Sequence, residues 1–392
     1  MKVLHIGQLP KEVGGNYTTG AANVLFELSK QQVDGVEFYT YGTNIKYSIA
    51  QEYCSYPHQY IGYKICIIDL ICSILSHPMR TLRQWKHFCN VDHENILRYA
   101  FYQSNIKRAI NKVKPDIIHV HSIANISPTR FALEGKKIPI LLTCHGIFYR
   151  GGDDDVVNRD KYWGNVSLAD AYSGLTMESM DEYESLLGVN RNRVRIIPNG
   201  VDCNKFYFDE QERLKLRQDM KVATNTKVLI TVASIQERKG QYAFIKLLKQ
   251  LKCNFQYWLV GTGTDVPMIE EYIRNNGLKD RVKLLGYRRS DELYKYYSAA
   301  DIYAHVGFKE GQALCEIEAN AAGLRTIVNA QIAGTIPSLD NGDYFVYDPF
   351  SPNITSMELW IEKEEAKRMS RKSLDWQVIA DKYVILYKEL IK

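Results

Sequence analysis

Glu310 and Glu318 are two carboxylates with seven residues between them, in the run HVGFKEGQALCEIEANAAG. The first follows a strand-like run, Asp301–His305, and the second lies in a small-residue helix ending near Gly323. A carboxylate beyond a strand's carboxyl end, then Gly311 and a helix start, then a second carboxylate about two turns on, gathers acceptors and free backbone N–H groups in one place. That mixture suits a phosphorylated sugar, with amides for phosphate and carboxylates for hydroxyls. Taken alone, the same spacing describes a surface helix glutamate, in a chain that is 24% charged.

Other residues offer complementary chemistry. Gly14-Gly15 stand between the first strand and the first long helix, where glycine lets backbone N–H groups approach a phosphate. They make no G-x-G-x-x-G fingerprint, so no NAD is inferred, and a plain tight turn explains them equally well. Arg238-Lys239-Gly240 follow the first strand of the second half, where fixed cations can clamp a diphosphate; a solvated basic turn is the plainer reading. His145, after Leu141–Cys144, can orient a substrate hydroxyl or share in proton traffic. His119 and His121 alternate about Val120 and share one strand face, without zinc-motif spacing. Asp153-Asp154-Asp155 read as a solvated acidic loop, with Mg²⁺ ligation the lesser option. The segment HPMRTLRQWKHF (77–88) mixes Arg80, Arg83 and Lys86 with Leu82, Trp85 and Phe88, beside an apolar run at 65–75. Packing of a helical insertion and docking on a membrane surface both fit that pattern.

These residues need elements to hold them. Strand candidates are Val3–Ile6, Ile117–His121, Ile138–Cys144, Leu175–Glu178 and Val194–Ile197, then Val228–Ala233, Gln256–Val260, Val282–Leu285, Asp301–His305 and Thr326–Asn329. Helical patterns at Gly20–Gln32, Ile96–Val113, Gln241–Leu251, Pro267–Asn275 and Asp291–Ala300 alternate with them, which predicts α/β layers on parallel sheets. Ligands of such sheets bind beyond the carboxyl ends of the strands, where Gly14-Gly15-Asn16, His145-Gly146, Gly261-Thr262-Gly263 and Glu310 stand. The series restarts after Pro198-Asn199-Gly200-Val201-Asp202, so two half-sites facing across a cleft are expected.

At 392 residues the chain suits two domains. It is 45% hydrophobic with mean hydropathy −0.29, and no run of apolar residues is long enough to span a bilayer. Eight cysteines without a C-x-x-C pair, behind a strand-like start in place of a signal peptide, indicate a reducing cytoplasm. The net charge of +5 and the dispersed 27 tyrosines form no nucleic-acid signature.

In order along the chain, these pieces resemble a family-4 retaining glycosyltransferase of the GT-B architecture. The resemblance rests on Gly14-Gly15, DIIHVH (116–121), TCHG (143–146), IPNGVD (197–202), Arg238-Lys239-Gly240, LVGTG (259–263), LGY (285–287), SAAD (298–301), and Glu310 to Glu318 with Ala319 and Gly323. It implies two Rossmann-like domains, 1–205 (helical insertion about 55–95) and 206–375, with a final helix, 376–392, crossing back to the first domain. That helix is also read from Trp376, Ile379, Tyr383, Leu386 and Leu390 at helical spacing.

The resemblance also implies roles. The second domain would bind a nucleotide-sugar donor, with Glu318 on the ribose hydroxyls and Glu310 facing the sugar. Amides of Gly311, Gln312, Ala313 and Leu314 would hold sugar or phosphate oxygens. Lys239 and Arg238 would neutralise the diphosphate, Gly15 would approach from the first domain, and Ser234 and Gly263 would line the donor. Tyr287 and Arg288 would lie against the base. His145 would touch the sugar near the reacting carbon, with Asn16, Tyr17 and His121 on the acceptor side. Configuration would be retained by front-face attack, with Glu310 in a positioning and charge-stabilising role. No metal or cofactor is required, the donor being a co-substrate.

Three positions depart from the family pattern. Ser234 stands where many members carry arginine, Gln312-Ala313 replace an aromatic-glycine pair, and Ser338 replaces a glutamate after Pro337. The expected protein is a cytoplasmic enzyme, peripheral on the inner face of the membrane. It would extend a glycan or lipid-linked glycan for a bacterial surface polysaccharide, without nucleic-acid partners. The alternatives are transfer to a small soluble acceptor, a non-catalytic GT-B module that binds nucleotide sugar or glycan, and a metal-dependent GT-A enzyme using Asp153–Asp155.

Overall fold

In a computed structural model the chain is described except at residues 16–19, 54–58, 65–66, 77, 80–81, 83–85, 87–95, 146–165, 309, 336–343 and 364–367. It divides into two units, Met1–Pro198 with Trp376–Lys392, and Asn199–Asp375.

The first unit is built on β1 (Lys2–Gly7), β2 (Glu37–Lys46), β3 (Gln59–Tyr63), β4 (Ile117–Val120), β5 (Ile140–Cys144), β6 (Ala171–Gly174) and β7 (Val194–Ile196), in the order β3-β2-β1-β4-β5-β6-β7. Every pairing is parallel, and Leu4 sits between Tyr39 and Ile118. Leu4, Ile6, Ile118, Val120, Ile140 and Leu142 belong to one buried cluster, as near-continuous apolar strands covered on both faces require. Strands β2 and β3 escaped the sequence reading because EFYTYGTNIK mixes polar residues and tyrosines without a clean period. One expected strand is corrected. Leu175–Glu178 is the turn into a helix, Met177–Leu187, because Thr176 and Ser179 form a reciprocal capping box. The strand itself is the preceding Ala171–Gly174.

The chain's last helix, Trp376–Ile391, belongs to this first unit and packs against helix Gly20–Ser29 and β4. It buries Trp376, Ile379, Tyr383 and Leu386 as its spacing predicts, and Tyr387 instead of Leu390. A buried polar row anchors it: Tyr387 Oη lies 2.7 Å from His119 Nδ1, His119 Nε2 2.5 Å from Thr143 Oγ1, and Thr143 Oγ1 2.6 Å from Ser173 Oγ. Tyr383 Oη lies 3.3 Å from both hydroxyls. Tyr387→Phe leaves His119 Nδ1 without that partner, so a loss of about 1–3 kcal/mol in urea unfolding is expected; an unchanged midpoint would remove Tyr387 as the anchor.

The second unit repeats the topology with β8 (Lys227–Val232), β9 (Phe255–Val260), β10 (Val282–Gly286), β11 (Ile302–His305), β12 (Arg325–Asn329) and β13 (Tyr344–Tyr347), all parallel in the order β10-β9-β8-β11-β12-β13. Strand direction of travel across the sheet reverses between β8 and β11, the switch point at which such sheets open a crevice. β13, an edge strand with Tyr344 and Val346 exposed, was not anticipated. Asp301 ties the layers together: it accepts from Arg213 at 2.5 Å, Arg217 at 3.1 Å and the Val228 amide at 2.7 Å.

Among the described residues no helix is long and apolar enough to cross a membrane.

Candidate functional site

The carboxyl edge of the second sheet gathers most of the expected donor residues. β8 leads through Ala233 and Ser234 to a 3-10 turn, Glu237–Lys239, and β11 leads through Val306-Gly307-Phe308 to Glu310. The two loops interlock. A side chain at Gly240 would put its Cβ 1.9 Å from the Val306 carbonyl oxygen, and the backbone there has φ +72°, so both space and conformation demand glycine. The Phe308 amide donates to the Arg238 carbonyl at 3.0 Å, and Asn329 Nδ2 donates to the Gly307 carbonyl at 3.0 Å.

This interlock brings together residues 71 apart: Lys239 Nζ donates to Glu310 Oε1, and Arg238 lies 4.0 Å from the same oxygen. The Glu310 side chain is 10% exposed and Lys239 17%, whereas Arg238 is half exposed. An ammonium has three N–H donors, so Lys239 keeps two for other oxygens. The bland reading of a solvated basic turn therefore holds for Arg238 and fails for Lys239.

Helix Leu314–Ala321 begins directly after Glu310-Gly311-Gln312-Ala313, with no side-chain cap. Among the described residues the amides of Gly311, Gln312, Ala313 and Leu314 donate to no protein acceptor, leaving the positive end of the helix open. Gln312 Oε1 accepts from the Asn199 amide at 2.6 Å, while Gln312 Nε2 and Asn199 Oδ1 are buried without partners among the described residues. An unsatisfied buried polar atom is costly, and a ligand hydroxyl can partner a donor or an acceptor.

Glu318 is not a solvated helix glutamate. Its Oε2 accepts from Tyr297 Oη at 2.9 Å, and burial pushes its carboxyl up to about 7, against the opposing pull of Tyr297, Lys205 and Cys315. Tyr297 is fully buried on helix Leu293–Ala299. The sequence reading missed it, since a tyrosine in a helical run reads as core. His305, at the end of β11, was also missed: it is buried with Nε2 unpartnered among the described residues, and burial pushes it down to about 3.

The remaining second-unit positions fall at the same edge. Gly261 and Gly263 press on the loop after β8, where added Cβ atoms would lie 1.9 and 2.0 Å from the Ala233 and Ile235 carbonyl oxygens. Gly263 thus has a packing reason of its own. Ser234 Oγ accepts from Gln236 at 2.6 Å. Tyr287 is exposed after β10, and Arg288 donates to Tyr296 Oη at 2.5 Å and stacks over that ring.

In the first unit, His121 and His145 stand at the carboxyl ends of β4 and β5, with His121 Nδ1 3.3 Å from His145 Nε2. Gly14 and Gly15 form a tight turn: their amides donate to the Lys11 and Pro10 carbonyls at 3.1 and 3.0 Å. A Cβ at Gly15 would lie 1.9 Å from the Leu9 carbonyl oxygen. Here the turn explains the glycines, and those amides are not free for a phosphate. Asn16, Tyr17, Asp153–Asp155, Gly146, Ser338 and most of 77–88 lie outside the described residues.

Comparison with known proteins agrees with this layout. The model of Glycosyltransferase Family 4 matches residues 19–205, and that of Glycosyl transferases group 1 matches 212–373. Alpha-monoglucosyldiacylglycerol synthase of Acholeplasma laidlawii is 23% identical over 59% of this chain and 63% of its own length. The UDP-Gal:alpha-D-GlcNAc-diphosphoundecaprenol alpha-1,3-galactosyltransferase of Escherichia coli is 24% identical over 57% of this chain and 60% of its own. The chain thus spans less than two thirds of the length of these curated relatives. Anabaena Alr3699/HepE, crystallised with UDP-glucose, superposes with a TM-score of 0.65 at 19% identity, covering 100% of this chain and 98% of that one. With both family models matched in order, two parallel Rossmann-like sheets and a last helix that returns to the first unit, the chain belongs to the family-4 glycosyltransferases of the GT-B architecture.

Proposed function

We propose that this protein is a retaining glycosyltransferase that takes a sugar from a nucleoside-diphosphate sugar and passes it to a glycan or lipid-linked glycan in surface-polysaccharide assembly. The observation that carries this reading is the grouping of the Lys239–Glu310 pair, the open amides 311–314 and the partly buried Glu318 at one sheet edge. Glu318 accepts from the ribose hydroxyls. Lys239 and Arg238 stabilise charge on the leaving diphosphate, so that fixed cations take the place of a metal. Glu310 holds the sugar and balances charge at the reacting carbon. Retention follows if the leaving phosphate accepts the incoming hydroxyl's proton on the face it departs from. Gln312 and Asn199 meet the sugar hydroxyls, so they set donor preference. His145 hydrogen-bonds a substrate hydroxyl.

A lipid-linked acceptor is favoured by two observations. Helix Ile67–Ser76 exposes Ile67, Ile68, Ile71 and Leu75, and the exposed apolar residues continue with Met79 and Leu82. The E. coli relative is named for a diphosphoundecaprenol acceptor. An exposed apolar helix face of this kind suits the membrane surface, which gives the protein a peripheral location there.

The reading is tested by screening UDP-, GDP-, ADP- and TDP-sugars by thermal shift, with donor hydrolysis as readout. A donor at about 100 times its Kd stabilises by roughly 2.7 kcal/mol; a shift without hydrolysis or transfer would favour the non-catalytic module, and no shift with any of them would count against a nucleotide-sugar site. Glu318 adds a sharper signature. With its carboxyl pushed up to about 7, the acceptor form is a minority at pH 6 and dominant at pH 8. Donor affinity should therefore rise about tenfold over that interval. Glu318→Gln should bind weakly and without pH dependence; a flat wild-type profile would take Glu318 off the ribose.

A further inference from the structure

Where β1 and β4 run side by side, His5 pairs with His119 across the strands, and His121 follows on the same face. His5 Nδ1 lies 3.0 Å from His121 Nε2, and His121 Nδ1 lies 3.3 Å from His145 Nε2. The inner end of this chain is closed, because His5 Nε2 is buried with no partner among the described residues. His119 stands apart: its two nitrogens face Tyr387 and Thr143. At the outer end, no hydrogen bond to His145 Nδ1 is found among the described residues, which leave out 146–165.

Burial keeps all these rings neutral at pH 7, pushing His5 down to about 3 and His145 to about 4, with His121 well below the ordinary range. A neutral imidazole has one donor and one acceptor nitrogen, so the three tautomers are coupled. Only two arrangements make both hydrogen bonds. In one, His145 donates from Nε2 to His121, His121 donates from Nε2 to His5, and His5 is left with a buried Nε2–H that nothing accepts. In the other, each ring carries its proton on Nδ1, and the orphan at His5 is a lone pair. Among buried backbone groups an N–H without an acceptor is rarer than an unpaired lone pair, and the same preference carried over to the His5 ring favours the second arrangement.

We infer that His5 and His121 are positioning residues that lock His145 in its Nδ1–H tautomer, so that it offers a substrate oxygen a hydrogen-bond donor and cannot serve that oxygen as a base. The second half of this statement rests on the transferase reading above; the lock itself does not. The sequence left open whether His145 orients a hydroxyl or carries protons, and the closed end of the chain, 116 residues from His121, decides for orientation. The same rings offer His5, His119 and His121 nitrogens within 4.8 Å of one another. A metal there would have to take a nitrogen of His119 from Tyr387 or Thr143, so the hydrogen-bonded chain is the better account.

Long-range ¹⁵N–¹H spectra of the full-length protein labelled in histidine test the lock at pH 7.5. Wild type should show Nδ1–H for His5, His121 and His145. His5→Ala admits water to His121 Nε2, so His121 and His145 should both relax to tautomer mixtures, although residue 5 does not touch His145. Turnover should then fall roughly three- to tenfold with the competent fraction. His5→Asn, whose amide N–H stands where Nδ1–H stood, should keep the locked tautomers and the wild-type rate. An Nε2–H or mixed His145 in wild type overturns the proposal, as do unchanged His145 signals in His5→Ala or equal losses in both variants. A Co²⁺ visible band in wild type would overturn it in favour of a metal site. Should His5→Ala fail to fold, the wild-type spectrum and His5→Asn decide. Locked tautomers in a protein that transfers from no nucleotide sugar would refute the transferase reading and leave the lock standing.

Discussion

Glu310→Gln is expected to lower kcat/KM by roughly 10²–10³-fold while the protein stays folded, the loss typical of removing one preorganised electrostatic partner. Gln keeps the shape and removes the charge. In the native site that charge is 10% exposed and held by Lys239, with Arg238 at 4.0 Å. Without it, the two cations lose the anion that fixes their position, and the reacting carbon loses its counter-charge as the diphosphate departs. Stability should fall by only about 1.5–3 kcal/mol, the worth of a hydrogen bond to a charged group, because the interlock at Gly240, Phe308 and Asn329 does not involve the carboxylate. Steady-state kinetics beside a thermal melt separate the two effects. A variant with near-wild-type turnover would remove Glu310 from the chemistry, and one that is unfolded would make it a structural residue.

Asp301→Asn should act the other way, on stability first. The Asp301 side chain is 5% exposed and is paired with Arg213 and Arg217 while accepting from the Val228 amide. Arg213 also donates to the carbonyls of Ser298, Ala299 and Ala300, closing the end of helix Leu293–Ala299, which carries Tyr297. Removing the carboxylate leaves two guanidinium groups without their anion, at an expected cost of about 3–5 kcal/mol. The pH dependence identifies the cause. Burial alone would raise the Asp301 carboxyl, but Arg213, Arg217 and the Val228 amide together hold it below its usual range. A lowered native value means that this stabilisation is present above the unfolded value of about 3.9 and is lost as pH falls through the native one. In urea titrations the gap between wild type and Asp301→Asn should therefore be wide at pH 7 and shrink below about pH 4. A gap of equal width at both would mean that packing, not charge, is what the substitution removes.

Much of this protein was legible in its sequence because parallel strands covered on both faces are apolar runs, and an apolar run is a local property. The strands expected at Val3–Ile6, Ile117–His121 and Val228–Ala233 were visible for that reason, as was the last helix from its spacing. β2 mixes polar residues with tyrosines, and β3 and β13 are short edge strands of five and four residues with no clear period. Leu175–Glu178 reads as a strand by composition, yet the capping pair Thr176 and Ser179 makes it the start of a helix.

The sequence by itself determined the family, the α/β alternation, the placing of Glu310, Lys239 and His145 just beyond strand ends and that of Glu318 in the helix that follows, since each is written in adjacent residues. Tertiary structure alone decided what those groups are. It paired Lys239 with Glu310, set Glu318 against Tyr297, and left Gln312 and Asn199 with unsatisfied atoms. It also placed His5 behind His121, a neighbour that no motif announced. The physical reason is one of range. Hydrophobic period and turn chemistry act between near neighbours along the chain, whereas desolvation and hydrogen-bond partnership are set by residues that meet only once the sheets have formed.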